Sequence, residues 1–280
     1  MDVMKGLTKI KDKSIDCVVT SIPYYLLRDY GVEGQIGLEP TMEEYIDKII
    51  SVFDEIYRVL KDEGTVFLNA GDTYSNGRAK LVGNTNRKGY GKNPGYESVT
   101  MKTSIRKKSK MMIPQRIAIR LIDKGWILRN NIIWDKMNPM PESVTDRFTN
   151  NFEDIFFFTK SHKYFFNKLY ENFSENTKEK NDKGRNKRCI WPVSTTSKKN
   201  YNHCATYPEK LVDICLTAGC PEGGIVLDPF GGSGTTAKVA RDKMMNCILI
   251  ELKKEYVDIS TERINDLFNK VKVVYDGREC

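Results

Sequence analysis

Two short stretches, far apart in the chain, hold the residue types that could do chemistry. Asp228-Pro-Phe-Gly-Gly-Ser-Gly-Thr-Thr236 follows the apolar run Ile225–Leu227 and leads into a helical pattern. Glycines at such a junction let the backbone turn tightly and approach a ligand closely. The loop is not the phosphate-cradling GxxxxGK, because no Lys follows Gly234, and the dinucleotide spacing GxGxxG is also absent. Further on, Ile248-Leu-Ile-Glu251 ends an apolar run in an acid. A carboxylate so placed can accept hydrogen bonds from both hydroxyls of a ribose, although an acid that merely starts the next helix looks the same. Near the other end, Thr20-Ser-Ile-Pro-Tyr-Tyr25 closes the run Ile15–Val19 with two hydroxyls, a proline and two rings. Its plainer reading is a strand-ending turn with two core aromatics. Two histidines, His162 and His203, and seven scattered cysteines without a CxxC speak against a zinc site.

The elements that must carry these stretches alternate between strand and helix. Ile15–Thr20 reads as a buried parallel strand. Thr41–Leu60 repeats apolar residues near a 3.6-residue period, with Thr41, Glu43 and Glu44 as a helix start and Asp62-Glu-Gly64 as a stop. Thr65–Asn69 is a strand, Pro114–Lys124 a helix, Ile127–Trp134 a strand, and Asp154–Phe158 another strand. Tyr164–Phe166 reads as the start of a hairpin. Glu209–Thr217 is a helix, Ile225–Asp228 a strand, Thr235–Lys243 a helix, Asn246–Glu251 a strand and Glu255–Lys270 a final helix. This alternation implies an α/β fold: a doubly wound, mostly parallel sheet whose ligands sit at the carboxyl ends of the strands. Both chemical stretches fall at such ends.

The chain has 280 residues and a net charge of +8. Its excess of positive charge is local. Gly77–Lys110 holds ten basic residues against one acid, and Lys178–Asn200 holds eight against two. Such clusters are the footprint of a polyanion, though a solvated loop has the same composition. The pattern of regular structure lapses over Gly77–Lys110. No stretch is apolar enough to span a bilayer, the first residues are mixed and charged, and an odd number of cysteines suggests reduced thiols. A soluble, cytoplasmic protein with no membrane partner is expected.

Together the two stretches resemble the S-adenosylmethionine-dependent DNA amino-methyltransferases. The catalytic stretch precedes the cofactor stretch, the order of the permuted beta class. DPFGGSGTT resembles that family's cofactor motif. His203-Cys-Ala-Thr-Tyr-Pro-Glu-Lys-Leu211 resembles its HxAxFPxxL segment, with Tyr207 where Phe is usual. Asn131–Ser143 and Gly184–Ser194 resemble two further family segments. The resemblance implies a Rossmann-like sheet of seven-stranded type with inserted basic DNA-binding loops. It implies one methyltransferase domain over residues 1–280, with a catalytic half near 1–160, a basic insert near 161–200 and a cofactor half near 201–270. It further implies that S-adenosylmethionine is held by Asp2, Thr20, His203, Ala205, Thr206, Tyr207, Pro208, Asp228, Phe230, Gly231, Ser233, Gly234, Thr235 and Glu251, and leaves as S-adenosylhomocysteine.

The family's catalytic signature is (S/D/N)-P-P-(Y/F), here Ser21-Ile22-Pro23-Tyr24. An exocyclic amine is a poor nucleophile because its lone pair is delocalised into the base. In the family, the first residue's side-chain oxygen and the second residue's carbonyl grip its hydrogens, and the aromatic residue stacks on the flipped base. The resemblance gives those roles to Ser21, Ile22 and Tyr24. Ile22 keeps the carbonyl and loses only proline's fixed φ, so only its backbone is expected to matter. Thr-Ser looks more like the N4-cytosine branch than the N6-adenine branch. No Pro-Cys dipeptide is present, against the C5-cytosine mechanism and its thiolate. Double-stranded DNA is the implied partner, met by Arg78, Lys80, Arg87, Lys88, Arg106, Lys107, Lys108, Arg185, Lys187 and Arg188. A cognate restriction endonuclease and a monomeric or homodimeric state accompany that reading. A degenerate DNA binder, or a methyltransferase acting on RNA or protein amides, has the same motifs.

Overall fold

The structure, a computed structural model, describes residues 1–75, 78–82, 96–100, 102–172, 184–195, 207–264, 274–275 and 278–279. In chain order its elements are α1 (Val3–Leu7), β1 (Ile15–Ser21), α2 (Met42–Val59), β2 (Leu60–Ala70), β3 (Arg78–Val82), β4 (Tyr96–Thr100), α3 (Ile113–Asp123), β5 (Ile127–Asp135), β6 (Phe152–Thr159), β7 (Tyr170–Glu171), β8 (Arg185–Asn186), β9 (Ile190–Pro192), α4 (Glu209–Gly219), β10 (Ile225–Asp228), α5 (Thr235–Asp242), β11 (Asn246–Leu249), α6 (Lys254–Ile264), β12 (Val274–Tyr275) and β13 (Arg278–Glu279).

Seven strands form one sheet in the order β11-β10-β1-β2-β6-β5-β9. Only β6 runs against the others, pairing antiparallel with β2 and β5. The mostly parallel sheet expected from the alternation is therefore present. The chain leaves β1 for β2 on one side, whereas β10 flanks β1 on the other. That reversal of strand order opens a crevice at the carboxyl ends of β1 and β10, where doubly wound folds bind ligands.

Both faces of the sheet are covered, and the strands alternate between two cores. Val66, Leu68, Phe156 and Phe158 face α1, α2 and α3. Phe67, Ile155 and Phe157 face α4, α5 and the two tryptophans Trp134 and Trp191. Burial on both sides explains why these strands read as continuous apolar runs. In α2 the buried residues recur at Met42, Tyr45, Ile46, Ile49, Ile50, Val52, Phe53, Ile56 and Val59. The Thr41 hydroxyl caps it by accepting from the Glu44 N–H at 3.2 Å, and Glu43 and Glu44 face the positive end of its dipole.

Several expectations need correction. Asp62-Glu-Gly64 does not stop the chain before a later strand. Helix α2 passes directly into β2, and the polar residues lie in an irregularity where Ile15 pairs with Leu60 but Cys17 with Thr65. Tyr164–Phe166 starts no hairpin; Tyr164 and Phe166 instead pack around the Phe157 ring. The short hairpin of this region is β7 with β8. The 77–110 segment, read as patternless, contains the antiparallel pair β3–β4. The final helix is described only to Ile264. Among the described residues no helix is long and apolar enough to cross a membrane.

Phe158 is fully buried, with Trp126 and Phe156 ring centroids 6.2 and 6.1 Å away. Phe158→Ala is expected to cost about 3–5 kcal/mol of stability, read as a lowered urea midpoint with unchanged slope.

Candidate active site

Asp228, at the carboxyl end of β10, is 1 % exposed. Its Oδ1 accepts from the Thr20 hydroxyl at 2.8 Å and the Phe230 N–H at 3.1 Å. Its Oδ2 accepts from the Thr236 hydroxyl at 2.6 Å and the Tyr207 hydroxyl at 2.9 Å. Burial pushes this carboxyl upward, and the hydrogen bonds from Thr236, Thr20, Tyr207 and Phe230 pull it back. Four donors fill a carboxylate's accepting positions. Asp228 thus ties together the loops around the crevice. Tyr207, where the family motif usually has Phe, owes its hydroxyl to this knot.

The glycine loop turns around that knot. Gly231 donates to the Ile250 carbonyl at 2.9 Å, and a Cβ on it would lie 3.0 Å from Leu249 Cβ. Gly234 has φ +79°, and a Cβ there would meet Ser260 at 2.7 Å. Ser233 and Thr235 are buried and face α6: Arg263 donates to the Ser233 carbonyl and hydroxyl, both at 2.9 Å, and to Thr235 at 3.3 Å. Arg263 also reaches Glu209 at 3.1 Å, tying α6 to α4. These two hydroxyls brace the loop from behind.

Glu251 differs. It is half-buried, and each oxygen accepts only one backbone N–H, from Gly232 and from Lys253, both at 2.8 Å. A carboxylate oxygen has room for a second donor, so two adjacent hydroxyls fit here. The Met1 amine donates to the Glu251 carbonyl at 2.6 Å, which brings the start of α1 beside this acid. Asp2 caps α1 through one oxygen, accepting from the Lys5 N–H at 3.1 Å. A tight loop with an under-filled acid beside it suits the ribose of S-adenosylmethionine. Pro208 is buried at the start of α4. His203, Ala205 and Thr206 lie outside the described residues.

The catalytic stretch leaves β1 beside Asn69 of β2, with which Ser21 pairs. The Ile22 N–H donates to the Asn69 carbonyl at 3.4 Å, and the Tyr45 hydroxyl donates to the Pro23 carbonyl at 2.7 Å. Tyr24 lies against Gly71, where a Cβ would stand 2.3 Å from its ring. Glycine there lets the ring approach the end of β2 closely. The Ile22 side chain is 3 % exposed and belongs to the core beneath the loop. The Ile22 side chain therefore has a packing role besides the backbone role expected of it.

Sequence reasoning missed a polar cluster against Tyr24. The Tyr24 hydroxyl donates to Glu153 Oε2, which also accepts from the Asn69 amide at 3.1 Å, while Lys136 donates to the other Glu153 oxygen. Burial, then the Glu153 charge, raises the Tyr24 phenol well above its ordinary range. Nothing local marks Glu153, an acid at a strand start, as a partner of residue 24.

The basic residues divide. Arg106, Lys107 and Lys108 are exposed on a segment stitched to the end of β2 through Ser75, which bonds Ile105, Lys108 and Ser109. Lys108 pairs with Asp146 at 2.5 Å. Arg185 and Arg188 both bond Glu171, at 3.0 and 2.6 Å, so their charge is partly answered within the protein. Lys187 lies over the Trp191 ring, 5.6 Å from its centroid. Lys187 and Arg188 border a cleft of about 630 Å³ beside β9. Arg78 and Lys80 are described only as part of β3, and Arg87 and Lys88 lie outside the described residues.

With this geometry in hand, the chain can be set beside known proteins. The DNA methylase family model of N6/N4 type matches residues 15–262. The type II methyltransferase M.XycI of Xanthomonas campestris pv. cyanopsidis is 41 % identical over 272 residues, covering 94 % of this chain and 85 % of the relative. Among solved structures, the PvuII DNA methyltransferase, described as cytosine-N4-specific, superposes with TM-score 0.68 at 20 % identity, covering 96 % of this chain and 86 % of the other. A Thermus thermophilus protein solved with S-adenosyl-L-methionine superposes with TM-score 0.61 at 22 % identity, covering 94 % and 90 %.

Two outcomes test the site. Burial raises the Glu251 carboxyl above the ordinary carboxylate range, against the lowering pull of the Lys253 and Gly232 N–H groups. Only the ionised form accepts from two hydroxyls, so calorimetric affinity for S-adenosylmethionine should be full above that raised value and fall as pH drops through it. Glu251→Gln should flatten this dependence and weaken binding by about 1.5–3 kcal/mol. Ile22→Pro removes a buried side chain and an N–H donor. It should lower stability by about 2–4 kcal/mol in chemical unfolding and leave turnover no higher than the parent's.

Proposed function

This chain belongs to the DNA methylase family of N6/N4 type, and on that premise we propose that it methylates N4 of cytosine in double-stranded DNA, as the modification half of a restriction–modification system. It is a DNA methyltransferase, and S-adenosylmethionine supplies the methyl group as an activated sulfonium substituent. The observation that carries the reading is the Thr20–Asp228 hydrogen bond at 2.8 Å. It joins the end of the catalytic strand to the head of the glycine loop, so base and cofactor meet in one crevice.

Ser21 Oγ and the Ile22 carbonyl hold the target amine and draw its lone pair out of the ring. The Tyr24 ring, close against Gly71, is the surface on which the flipped base stacks. Glu251 holds the ribose. The carboxylate knot at Asp228 keeps the two loops in register, so the reacting atoms meet without rearrangement. Arg106, Lys107 and Lys108, on the same edge as the crevice, meet the phosphates, with Lys187 and its arginine neighbours further along the strand. Ser21, in place of an aspartate, favours cytosine over adenine. The printed class of the relative, type II, favours an endonuclease partner. We take residues 1–280 as one methyltransferase domain working in the cytoplasm, where its DNA is.

Plasmid DNA exposed to the protein and digested to nucleosides should yield N4-methylcytosine by mass spectrometry. N6-methyladenine instead would reassign the base, and no modified base would favour a degenerate binder. Ser21→Ala should lower the yield about a hundredfold with cofactor affinity unchanged.

A further inference from the structure

Phe148 is 97 % exposed, more than any other large apolar side chain among the described residues. It lies in the loop that joins β5 to β6, where Met140 is 85 % exposed and Met137 is exposed as well. Single apolar residues in water are ordinary, whereas three on one loop call for a partner.

The backbone around Phe148 is braced. The Lys136 N–H closes the loop on the Asn151 carbonyl at 2.8 Å. Arg147 donates to the Phe148 carbonyl at 3.0 Å and to Glu142 at 2.7 Å, and its guanidinium lies over the Tyr74 ring, 4.1 Å from the centroid. Lys108 pairs with Asp146 at 2.5 Å, and Lys110 donates to Asn150 at 3.2 Å. The two acids of the loop, Glu142 and Asp146, are thus both matched by cations.

Both ends of the loop stand at the base pocket. Lys136 opens it and Glu153 follows it, and the two are bonded to each other beside Tyr24, whose hydroxyl donates to Glu153. Tyr74 comes three residues after Gly71, against which the Tyr24 ring lies. The outer flank is the exposed basic segment 106–108, joined to the loop through Asp146. Phe148 therefore belongs to a loop set between the ring that receives the base and the cations that meet the phosphates.

We infer that Phe148 is a wedge that enters the duplex beside the target base and fills the stack that the base leaves on flipping. Taking a base out of a duplex costs its stacking and pairing. An apolar side chain inserted between base steps replaces part of that stacking, and phenylalanine is among the residue types that do so. A wedge needs an exposed ring, a stiff support and cations nearby that hold the backbone against it, and this loop supplies all three. A second copy of the chain is the rival occupant, and charge opposes it, since a chain of net charge +8 repels its own basic flank. The inference rests on the DNA reading proposed above.

Phe148→Ala removes the ring and Phe148→Trp keeps one. Because the side chain lies in solvent, both variants should hold the parent's thermal midpoint and its dissociation constant for S-adenosylmethionine. A fluorescent base analogue, placed in duplex DNA at the position the parent methylates, brightens when it leaves the stack. Phe148→Ala should dim that signal and slow single-turnover methyl transfer about tenfold or more, the weight of one base–aromatic stack. Phe148→Trp should keep most of both. Opposite an abasic site the target base leaves readily, so there the alanine variant should come within about threefold of the parent's rate. Parental flipping and rate in Phe148→Ala, an equal loss on paired and abasic DNA, or a DNA-free dimer in sedimentation that Phe148→Ala dissolves would each overturn the wedge. Plasmid DNA without any modified base would overturn the DNA reading, and the wedge with it. A parent that methylates, matched by Phe148→Ala in flipping and rate, would overturn the wedge alone.

Discussion

A buried carboxylate with four donors holds this site together. Asp228 takes hydroxyls from Thr20, Tyr207 and Thr236 and an N–H from Phe230. Those donors come from the end of β1, the approach to α4, the first turn of α5 and the glycine loop itself. A buried charge is costly unless it is fully hydrogen-bonded, and a full set of oriented donors makes the arrangement all-or-none. Losing any one leaves the carboxylate under-satisfied in an apolar surround. The crevice therefore has little freedom to open by small steps, which suits a reaction that needs methyl donor and amine aligned.

A second carboxylate works on the other side of the same crevice. Glu153 faces the catalytic loop as Asp228 faces the cofactor loop, and each is reached by a tyrosine hydroxyl, Tyr24 and Tyr207. In both places the phenol reaches further than a serine could, spanning from a loop to an acid on a neighbouring strand. The two acids differ in charge balance. Glu153 is paired with Lys136, whereas the donors on Asp228 are all neutral groups. Burial accordingly pushes Asp228 towards its protonated form more than the hydrogen bonds alone would allow.

The departures from the family pattern have physical reasons. Ile22, in place of a proline, fills the core under the loop, so packing replaces a fixed φ as the restraint on the carbonyl behind Ser21. The Pro23 carbonyl is held from the other side by the Tyr45 hydroxyl of α2. The loop is thus restrained by a buried side chain, a hydrogen bond and a ring on glycine, which together can stand in for the missing ring of residue 22.

Much of this was legible in the residues alone. Apolar runs and 3.6-residue periods are local properties, so the strands at Ile15–Ser21 and Ile225–Asp228 and the helices at 42–59 and 235–242 follow from their own sequences. The glycine loop and the Ser-Ile-Pro-Tyr stretch announce their chemistry because tight turns and exposed acceptors need particular residue types. The tertiary structure decided what those residues touch. That Asp228 would be filled by protein donors, that Ser233 and Thr235 would face Arg263, that Arg185 and Arg188 would meet Glu171, and that Glu153 would hold Tyr24 all depend on which strands lie side by side and in what register. Strand pairing brings together residues more than a hundred positions apart, as with Thr20 and Asp228, and no local pattern encodes that proximity. It arises only when the whole sheet closes over its two cores.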